Sequence, residues 1–314
     1  MTISVCTVAR GRDRHLENLI LGLRRSARPP RDLVVAVMQG RRLRLPEASF
    51  PVRQVVLGKG ETSLARARNA AARLTTGRLL AFLDADCIPS PTLLDDYVGA
   101  ATLGTGVFMG EVGFLARGAT DHGLDFARFG AEAVQHESRP TPAPQALEPV
   151  EDGRAFSALN FAIRAADFAA LGGFDEAYAG SGGEEADFGR MLAQHHVPLW
   201  WLGGATAYHQ HHPQHMPPVH RLDAVLADAA RFERKWGQPA MEQWLRAFAL
   251  MGLVKREGDH WVKLREPTES DLALTRQQEH QPYASSTQVL HWLEERAVRR
   301  IDSGKKAGKS TAAA

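Results

Sequence analysis

Short runs of continuous apolar residues alternate with helix-length stretches over the first hundred residues of this 314-residue chain. The four runs are residues 3–8, 33–38, 52–57 and 79–83. Runs of this length are typical of strands that are buried on both faces, and strands that alternate with helices build parallel βαβ units. The alternation therefore predicts an α/β protein with a mainly parallel sheet flanked by helices.

Two stretches between the predicted strands have the 3.6-residue periodicity of amphipathic helices. In the first, apolar side chains recur on one face at Leu16, Leu19, Ile20 and Leu23. The second covers residues 64–74, and either Thr62 or Ser63 can supply the capping oxygen at its start. Both helices connect consecutive predicted strands, as a parallel topology requires.

The pattern is less regular after residue 100. Strands are predicted over residues 156–163 and 197–202, and helices over residues 185–193 and 220–236. Four prolines within residues 138–150 favour a long irregular loop, of the kind that often forms a lid. The basic segment from Arg296 to the C-terminus, rich in small residues, is predicted to be disordered.

Charge and cysteine content exclude several classes of protein. The formal net charge of +2 is too small to indicate binding to nucleic acid. Cys6 and Cys87 lie in apolar runs, as buried thiols of a cytoplasmic protein do. The N-terminus lacks a signal-peptide pattern, and no apolar run approaches the length of about 18 residues that spans a membrane. We therefore expect a cytoplasmic protein without a transmembrane segment. Any contact with a membrane is expected to be peripheral, at its inner face.

Two aspartates, Asp84 and Asp86, follow the apolar run that ends at Leu83. In an extended chain, residues two apart point to the same face, and the carboxyl end of a parallel strand faces the crevice where such sheets bind ligands. Carboxylate oxygens at that place suit Mg²⁺ or Mn²⁺ that bridges phosphate groups. The pair predicts a divalent-metal site, and turn capping is the alternative for an isolated Asp-x-Asp sequence.

A glycine-rich segment with three acids precedes the predicted helix 185–193. Its sequence is Gly180-Ser181-Gly182-Gly183-Glu184-Glu185-Ala186-Asp187. Small residues such as Gly183 allow a ligand to approach the backbone closely. The acids also suit the N-terminal end of a helix dipole, which is the structural alternative. One of the carboxylates can act as a general base toward an acceptor hydroxyl.

A histidine-rich segment, Tyr208-His209-Gln210-His211-His212, follows the predicted strand 197–202, and His215 and His220 lie further on. Imidazole is a common ligand of divalent metals, and His209 and His211 share a face if the chain is extended. A solvated loop is the alternative for any single histidine here. The absence of an accompanying cysteine disfavours zinc, although a three-histidine site also fits.

The order of several motifs resembles that of family 2-like inverting glycosyltransferases, which have the GT-A fold. The motifs are residues 5–10 (VCTVAR), 64–69 (LARARN), 79–86 (LLAFLDAD), 172–176 (GGFDE) and 182–185 (GGEE). The later part is similar to the galactosyltransferase and polypeptide N-acetylgalactosaminyltransferase group. The resemblance covers residues 1–215 and implies a Rossmann-like α/β domain followed by a helical C-terminal extension.

The resemblance implies functions for individual residues. Asp86 and His209 are implied to ligate Mn²⁺ or Mg²⁺, with Asp84 near the ribose and donor sugar and as a further ligand. Glu185 is implied to be the catalytic base, and Glu184 to hold hydroxyls of the acceptor or donor sugar. The residues implied to lie along the nucleotide-sugar are Thr7, Ala9, Arg10, Arg68, Asn69 and Gly183.

Two positions depart from the family pattern. Many relatives end the second strand with an acid that reads the nucleobase or ribose, whereas this chain has Gln39, whose amide can hydrogen-bond a uracil edge. An aromatic residue often precedes the Gly-Gly-Glu motif, where this chain has Ser181. The resemblance implies a UDP-sugar as donor, and the missing acid at Gln39 departs from the pattern behind that assignment. The residue at Ser181 implies an acceptor unlike those of the relatives.

The implied reaction is the inverting transfer of a sugar from a nucleoside diphosphate to a hydroxyl of a saccharide or another acceptor. Residues 1–100 are expected to bind the nucleotide-sugar, and residues 101–215 to complete the acceptor and metal sites of the same domain. Residues 216–302 are expected to form the helical extension, and residues 303–314 a disordered tail. The alternatives are a nucleotide-sugar nucleotidyltransferase-like enzyme and a non-catalytic nucleotide-sugar-binding domain.

Overall fold

The computed structural model of the chain describes residues 1–60, 63–135, 139–179, 182–276 and 288–295. The chain divides into two compact units, Met1–His212 and Pro213–Ala314. The first unit contains a mixed sheet with helices on both faces, and the second contains helices and a two-stranded hairpin. All of the candidate site residues named above belong to the first unit.

Ten strands of the described residues form the sheet of the first unit. They are β1 Ile3–Ala9, β2 Leu33–Val37, β3 Val52–Val56, β4 Leu79–Leu83, β5 Cys87–Pro89, β6 Val107–Phe114, β7 Val134–Gln135, β8 Leu147–Pro149, β9 Asn160–Arg164 and β10 Leu199–His209. The helices of this unit are α1 Asp13–Arg24, α2 Leu64–Arg73, α3 Leu93–Leu103, α4 Phe126–Glu132, α5 Ala165–Ala170 and α6 Gly183–Gln194, and a 3₁₀ turn lies at Gly153–Ala155.

The strands of the sheet lie in the order β3-β2-β1-β4-β9-β6-β10-β5, with β7 beside β6 and β8 beside β10. Strands β3, β2, β1 and β4 are parallel, and β6 is parallel to β10. Strand β9 is antiparallel to β4 and β6, and β5 is antiparallel to β10. The predicted α/β class is confirmed, with a sheet that is parallel in its first half and mixed in its second.

Helices cover both faces of the sheet because its strands are apolar on both sides. Along β1, Ile3 and Val5 pack in the same cluster as α1 and α3, whereas Cys6 packs with α2 and α6. Ile3 is 1% and Val5 0% exposed, and full burial of an aliphatic side chain of this size contributes about 1.5–3 kcal/mol. This core fixes the carboxyl ends of β1 and β4, beside which the candidate residues lie.

Strand β10 is longer than the sequence pattern predicts. The apolar pattern ends at residue 202, but the strand continues to His209 alongside β6 and β5. A β-bulge between Leu202 and Ala207 shifts its register with β6, and Gly203 and Gly204 lie in this irregular part. His209 therefore ends a strand, so the predicted strand end at residue 202 was wrong and the alternative of a solvated loop does not hold for this histidine.

The proline-rich segment is more regular than its composition predicts. Residue 138 lies outside the described residues, whereas β8 pairs with β10 through three residues. The backbone N–H of Gln145 also donates to Gly203 O (2.9 Å), and that of Val150 donates to Leu199 O (2.8 Å). Proline is tolerated at a sheet edge, where some positions donate no ladder hydrogen bond. The prediction of an irregular lid was wrong for residues 145–150, because they are anchored along β10.

The second unit begins with a 3₁₀ turn, Val219–Arg221, and a long helix, α7 Leu222–Trp236. The helix ends at Gly237, whose φ of 66° is the left-handed conformation that glycine adopts most easily. The unit also contains α8 Glu242–Leu250, β11 Val254–Glu257, β12 His260–Lys263, α9 Glu269–Thr275 and a helical segment at residues 288–295. The β11–β12 hairpin departs from the helical extension that the sequence predicts.

None of the helices in the described part of the chain has the length and apolar character needed to span a membrane. The basic tail from Arg296 onward lies outside the described residues, as do Thr62, Gly180 and Ser181. The cap of α2 is Ser63, whose hydroxyl oxygen accepts a hydrogen bond from Arg66 N.

Candidate active site

Three potential metal ligands meet at the end of β10. A carboxylate oxygen of Asp86 and a ring nitrogen each of His209 and His212 lie within 4.8 Å of one another. Asp86 Oδ1 is 3.6 Å from His209 Nε2, and Asp86 Oδ2 is 3.3 Å from His212 Nε2. The three side chains are at most one-tenth exposed. We call this group the Asp–His–His cluster.

Strand pairing explains why Asp86 and His209 meet although they are far apart in the sequence. Asp86 immediately precedes β5, and the antiparallel ladder between β5 and β10 pairs Cys87 with His209. The backbone N–H of Gln210 then donates to Asp86 O over 2.7 Å, which extends the ladder by one step. The backbone therefore holds the two side chains side by side, whether or not an ion is bound.

Helix α1 supports the histidine segment from one side. The amide of Asn18 donates to Gln210 Oε1 (2.7 Å), and Gln210 Nε2 donates to His15 O (3.1 Å). The ring Nε2 of His15 lies 3.2 Å from His211 O. Outer contacts of this kind fix the orientation of metal ligands in known sites.

The electrostatics of the cluster suit a cation. Burial opposes ionisation of Asp86, but His209, His212 and Arg12 hold the pKa of its carboxyl well below the usual range. Burial also lowers the pKa of His209 to about 4, against the opposing effect of Asp86, which keeps the imidazole neutral and its lone pair free near neutral pH. Among the described residues, Asp86 Oδ1 accepts no hydrogen bond. A buried carboxylate oxygen without a donor is unusual and fits a metal ligand.

Arg12 is the nearest cation to this cluster. Its Nη1 donates to Asp86 Oδ2 from the turn between β1 and α1. The Arg12 side chain is 41% exposed, whereas that of Asp86 is 6% exposed.

A second group of charged residues surrounds Arg68 of α2. The Arg68 side chain is 3% exposed, and its Nη1 donates to Glu184 Oε1 over 3.0 Å. Its Nη2 donates to Asp84 Oδ1 over 3.3 Å and lies 3.8 Å from Glu185 Oε1. One guanidinium thus serves three carboxylates. We call this group the Arg68 network.

The two glutamates of this network have different environments. Glu184 is 1% exposed, and its second oxygen accepts the backbone N–H of Gly182 over 2.9 Å. Glu185 keeps 27% of its side chain exposed. Glu184 therefore stabilises the start of α6, and its burial departs from the contact with substrate hydroxyls that the resemblance implies. Asp187 is buried too and accepts a hydrogen bond from Tyr178 Oη (3.1 Å).

Burial raises two pKa values in the network, and neighbouring carboxylates add to the effect. Burial, together with the negative charge of Glu184, raises the pKa of Glu185 to about 7. Burial raises the pKa of Asp84 to about 6, against the opposing effect of Arg68. A carboxyl group with a pKa near neutrality in an accessible position is a candidate general base.

Glycine occupies the start of α6 because the backbone there adopts a positive φ. Gly182 has a φ of 97°, a conformation that L side chains rarely adopt, and Gly183 begins the helix. This turn brings Glu184 and Glu185 back toward Arg68.

The remaining residues of the predicted nucleotide site lie at or near the carboxyl end of β1. Thr7 is 2% and Ala9 3% exposed, whereas Arg10 is exposed. Gln39 accepts the backbone N–H of Gly11 (2.6 Å) and donates to Asp13 Oδ1 (3.2 Å). Its amide therefore braces the β1–α1 turn, and it would have to release these partners to read a nucleobase.

Asn69 points away from this region. Its amide group exchanges hydrogen bonds with the backbone of Phe174 (2.8 and 2.9 Å) and donates to Glu176 Oε1 (3.0 Å). It therefore joins α2 to the Gly-Gly-Phe-Asp turn, in contrast to the donor contact that the resemblance implies.

Two expectations based on an extended chain were wrong. The chain leaves β4 at Leu83 and turns, with Cys87 N donating to Asp84 O over 2.8 Å. Asp84 thus joins the Arg68 network and does not belong to the Asp–His–His cluster of Asp86. Strand β10 ends at His209, so the second imidazole of the cluster is that of His212 and not that of His211.

Sequence reasoning missed several residues of the site. His212 was part of the histidine-rich segment, but the assumption of extended backbone selected His211 instead. The position of Arg12 shortly after the first strand was a sequence feature that could have identified it as a site residue. Asn18 and Gln210 gave no signal, because their role depends on the contact between α1 and the end of β10.

Part of the chain matches a known family by sequence. Residues 31–114 match the profile of glycosyl transferase family 2. The match includes Asp84 and Asp86 and ends before Glu185 and His209. No curated protein sequence matches the chain.

Two solved structures have a similar fold. A crystal structure of S. aureus TarS, residues 1–349, superposes with a TM-score of 0.50 at 12% identity, covering 78% of this chain and 69% of that one. A crystal structure of GalNAc-T7 with UDP, GalNAc and Mn²⁺ superposes with a TM-score of 0.50 at 15% identity, covering 67% of this chain and 43% of that one. At these identities the likeness concerns the fold.

Proposed function

The chain is a glycosyltransferase with a family 2 domain on a GT-A fold. We propose that it transfers a sugar from a nucleoside diphosphate sugar to an acceptor hydroxyl with help from a divalent metal ion. The observation that carries this proposal is the adjacency of two unlike groups. The Asp–His–His cluster contains Asp86, and the Arg68 network contains Asp84, two residues earlier in the same turn.

Asp86, His209 and His212 are the proposed ligands of the ion. One carboxylate and two imidazoles suit Mn²⁺, whereas Mg²⁺ prefers a site made of oxygen atoms. The Asp86 oxygen without a hydrogen-bond donor, described above, supports this assignment. A bound ion of this kind offsets the negative charge that develops on a leaving diphosphate.

Glu185 is the proposed general base. Its partial exposure allows contact with an acceptor, and its pKa of about 7 matches the range in which proton transfer near neutral pH is most effective. The carboxylate accepts the hydroxyl proton while the acceptor oxygen forms a bond to the anomeric carbon and the bond to the diphosphate oxygen breaks. A single displacement without a protein nucleophile inverts the anomeric configuration.

Asp84 is the proposed contact for hydroxyl groups of the ribose or donor sugar. Its side chain is 29% exposed and is oriented by Arg68. Arg68 itself is buried, so we propose that it positions Asp84 and Glu185 without touching substrate. Thr7, Ala9 and Arg10 at the end of β1, and Gly183 at the start of α6, stay proposed contacts of the nucleotide-sugar.

A UDP-sugar is the proposed donor. The GalNAc-T7 structure contains UDP and Mn²⁺, and we propose the same class of donor and ion here. We further propose that residues 1–100 bind the nucleotide-sugar and residues 101–215 complete the acceptor and metal sites.

Thermal unfolding with a panel of nucleotide-sugars tests the proposal. UDP-, GDP-, dTDP- and CMP-sugars are each tested with Mn²⁺, Mg²⁺, Zn²⁺ or a chelator. We expect one nucleotide class to raise Tm only when a divalent ion is present, since a ligand at 100 times its Kd stabilises by about 2.7 kcal/mol. Release of the free nucleotide, a nucleoside diphosphate or CMP according to the donor, is measured in the same mixtures and reports turnover. Stabilisation that is unchanged by the chelator contradicts metal assistance.

A further inference from the structure

Arg12 binds the carboxylate that the proposed metal ion needs. Its Nη1 donates to Asp86 Oδ2, and this same oxygen lies 3.3 Å from His212 Nε2. Both a metal ion at the Asp–His–His cluster and the guanidinium are cations. They therefore compete for a single carboxylate.

The charge balance changes sharply when an ion binds. Without the ion, the charges of Asp86 and Arg12 offset each other through their direct contact. With a divalent ion at the cluster, one carboxylate faces three positive charges within a largely buried site. Within the cluster and Arg12 this leaves an excess of two positive charges, which favours an additional anion close to both cations because Asp84 is already hydrogen-bonded to Arg68.

We propose that Arg12 is a diphosphate-binding residue, which pairs with Asp86 while the metal site is free and turns to the diphosphate of the donor when the ion binds. The inference rests on the proposed metal-assisted transfer. A guanidinium presents several N–H donors in a fixed fork that matches phosphate oxygens, and charged hydrogen bonds of this kind are the strong ones.

The surroundings of Arg12 allow this movement. Its backbone is anchored, because its carbonyl oxygen accepts the backbone N–H groups of His15 (3.1 Å) and Leu16 (3.2 Å), whereas its side chain is 41% exposed. Asp13, the adjacent acid, is 3.2 Å from Gln39 Nε2 and 4.0 Å from Arg41 Nη2. Asp13 is thus already paired, so an incoming phosphate is the natural new partner for the guanidinium.

Calorimetric titration with Mn²⁺ alone tests the first half of the proposal. Arg12→Gln should bind Mn²⁺ about five- to tenfold more tightly than the wild type, because the cation that competes for Asp86 has been removed. Arg12→Lys, which keeps the charge, should stay within about twofold of the wild type. Arg14→Gln is the matched control, since Arg14 is 72% exposed and lies 3.8 Å from Asp121; its Mn²⁺ affinity should be unchanged.

Titration with a nucleoside diphosphate at saturating Mn²⁺ tests the second half. The probe is whichever of UDP, GDP, ADP and dTDP binds the wild type. Arg12→Gln should weaken this binding by about tenfold or more, and Arg12→Lys by less. The affinity for the matching nucleoside without phosphates should not change, which separates loss of a phosphate contact from general damage to the site.

The variant Asp86→Asn separates failure of this inference from failure of the proposed metal site. If Asp86→Asn binds Mn²⁺ as tightly as the wild type, both the proposed metal site and the proposed role of Arg12 are refuted. If Asp86→Asn loses Mn²⁺ but Arg12→Gln binds the ion no more tightly than the wild type, the competition is refuted. If Arg12→Gln gains Mn²⁺ affinity but binds the diphosphate normally, the diphosphate contact is refuted.

Discussion

The Asp–His–His cluster and the Arg68 network flank one turn of the chain, and they differ in their balance of acidic and basic groups. The cluster joins one carboxylate to two imidazoles, and its acid stays ionised because its neighbours lower its pKa. The network joins three carboxylates to one guanidinium, and two of its acids have raised pKa values. Neighbouring parts of a site can thus be suited to different tasks, one to holding a cation and the other to accepting a proton.

Removal of the proposed base should have the largest effect. Glu185→Gln keeps the shape of the side chain but cannot accept a proton at neutral pH. We expect kcat to fall about 10²- to 10⁴-fold, while donor affinity with Mn²⁺ stays near that of the wild type. Steady-state transfer and calorimetric donor binding measure the two quantities. Wild-type turnover in this variant would assign the base to another residue and erase the contrast between the two groups.

Removal of Arg68 should show that the network also carries stability. Arg68→Met leaves Glu184, which is 1% exposed, without its buried cation. Loss of one partner of a buried ion pair costs about 3–5 kcal/mol of the free energy of unfolding, measurable by urea denaturation. The control is Arg73→Met on the same helix, because Arg73 is 61% exposed beside Glu176, and it should cost at most about 1 kcal/mol. Equal losses in both variants would show that burial does not distinguish them.

Single histidine variants sharpen the definition of the cluster. His209→Ala and His212→Ala should each weaken Mn²⁺ binding by about 10- to 100-fold, because each removes a proposed ligand. His211→Ala is the matched control, since its ring does not belong to the cluster, and its Mn²⁺ affinity should stay within about twofold. A result in which His211 matters as much as His212 would restore the extended-chain interpretation of this segment.

The pH dependence of transfer should report the network and not the cluster. The active form of Glu185 is deprotonated, and its pKa is about 7. With Mn²⁺ and donor saturating, kcat should rise about tenfold per pH unit below pH 7 and level off above it. Asp84→Asn should move the midpoint to lower pH, because the charge of Asp84 raises the pKa of Glu185. A midpoint that stays in place in Asp84→Asn would show that the two carboxyls do not interact.

Much of the parallel half of the fold could be predicted from the sequence. Continuous apolar runs are directly visible, and β1 to β4 begin and end within one or two residues of the predicted limits. The second half of β10 was missed, because Gly203 and Gly204 interrupt the apolar pattern at the bulge. The β11–β12 hairpin was missed because its strands are only four residues long.

The site was harder to predict than the fold, because its geometry depends on backbone turns. Periodicity alone placed Asp84 with Asp86, and His209 with His211, since it assumed extended chain at both positions. The pairing of Asp86 with His209 came from the resemblance and has no local signal. The difference between Glu184 and Glu185 depends on which of them reaches Arg68 and Gly182, and no pattern within residues 180–187 contains that information.

The ladder between β5 and β10 makes the cluster sensitive to chain length. Cys87 pairs with His209, and side chains alternate between the two faces of a sheet. A single-residue insertion within residues 205–209, the last part of β10, would direct the imidazole of His209 to the opposite face of the sheet while leaving most of the core intact. Such an insertion should produce a folded protein without the proposed ion site, whereas an added residue in the 116–124 loop should change only that loop. Insertions and deletions among homologous chains should therefore be concentrated outside residues 205–209.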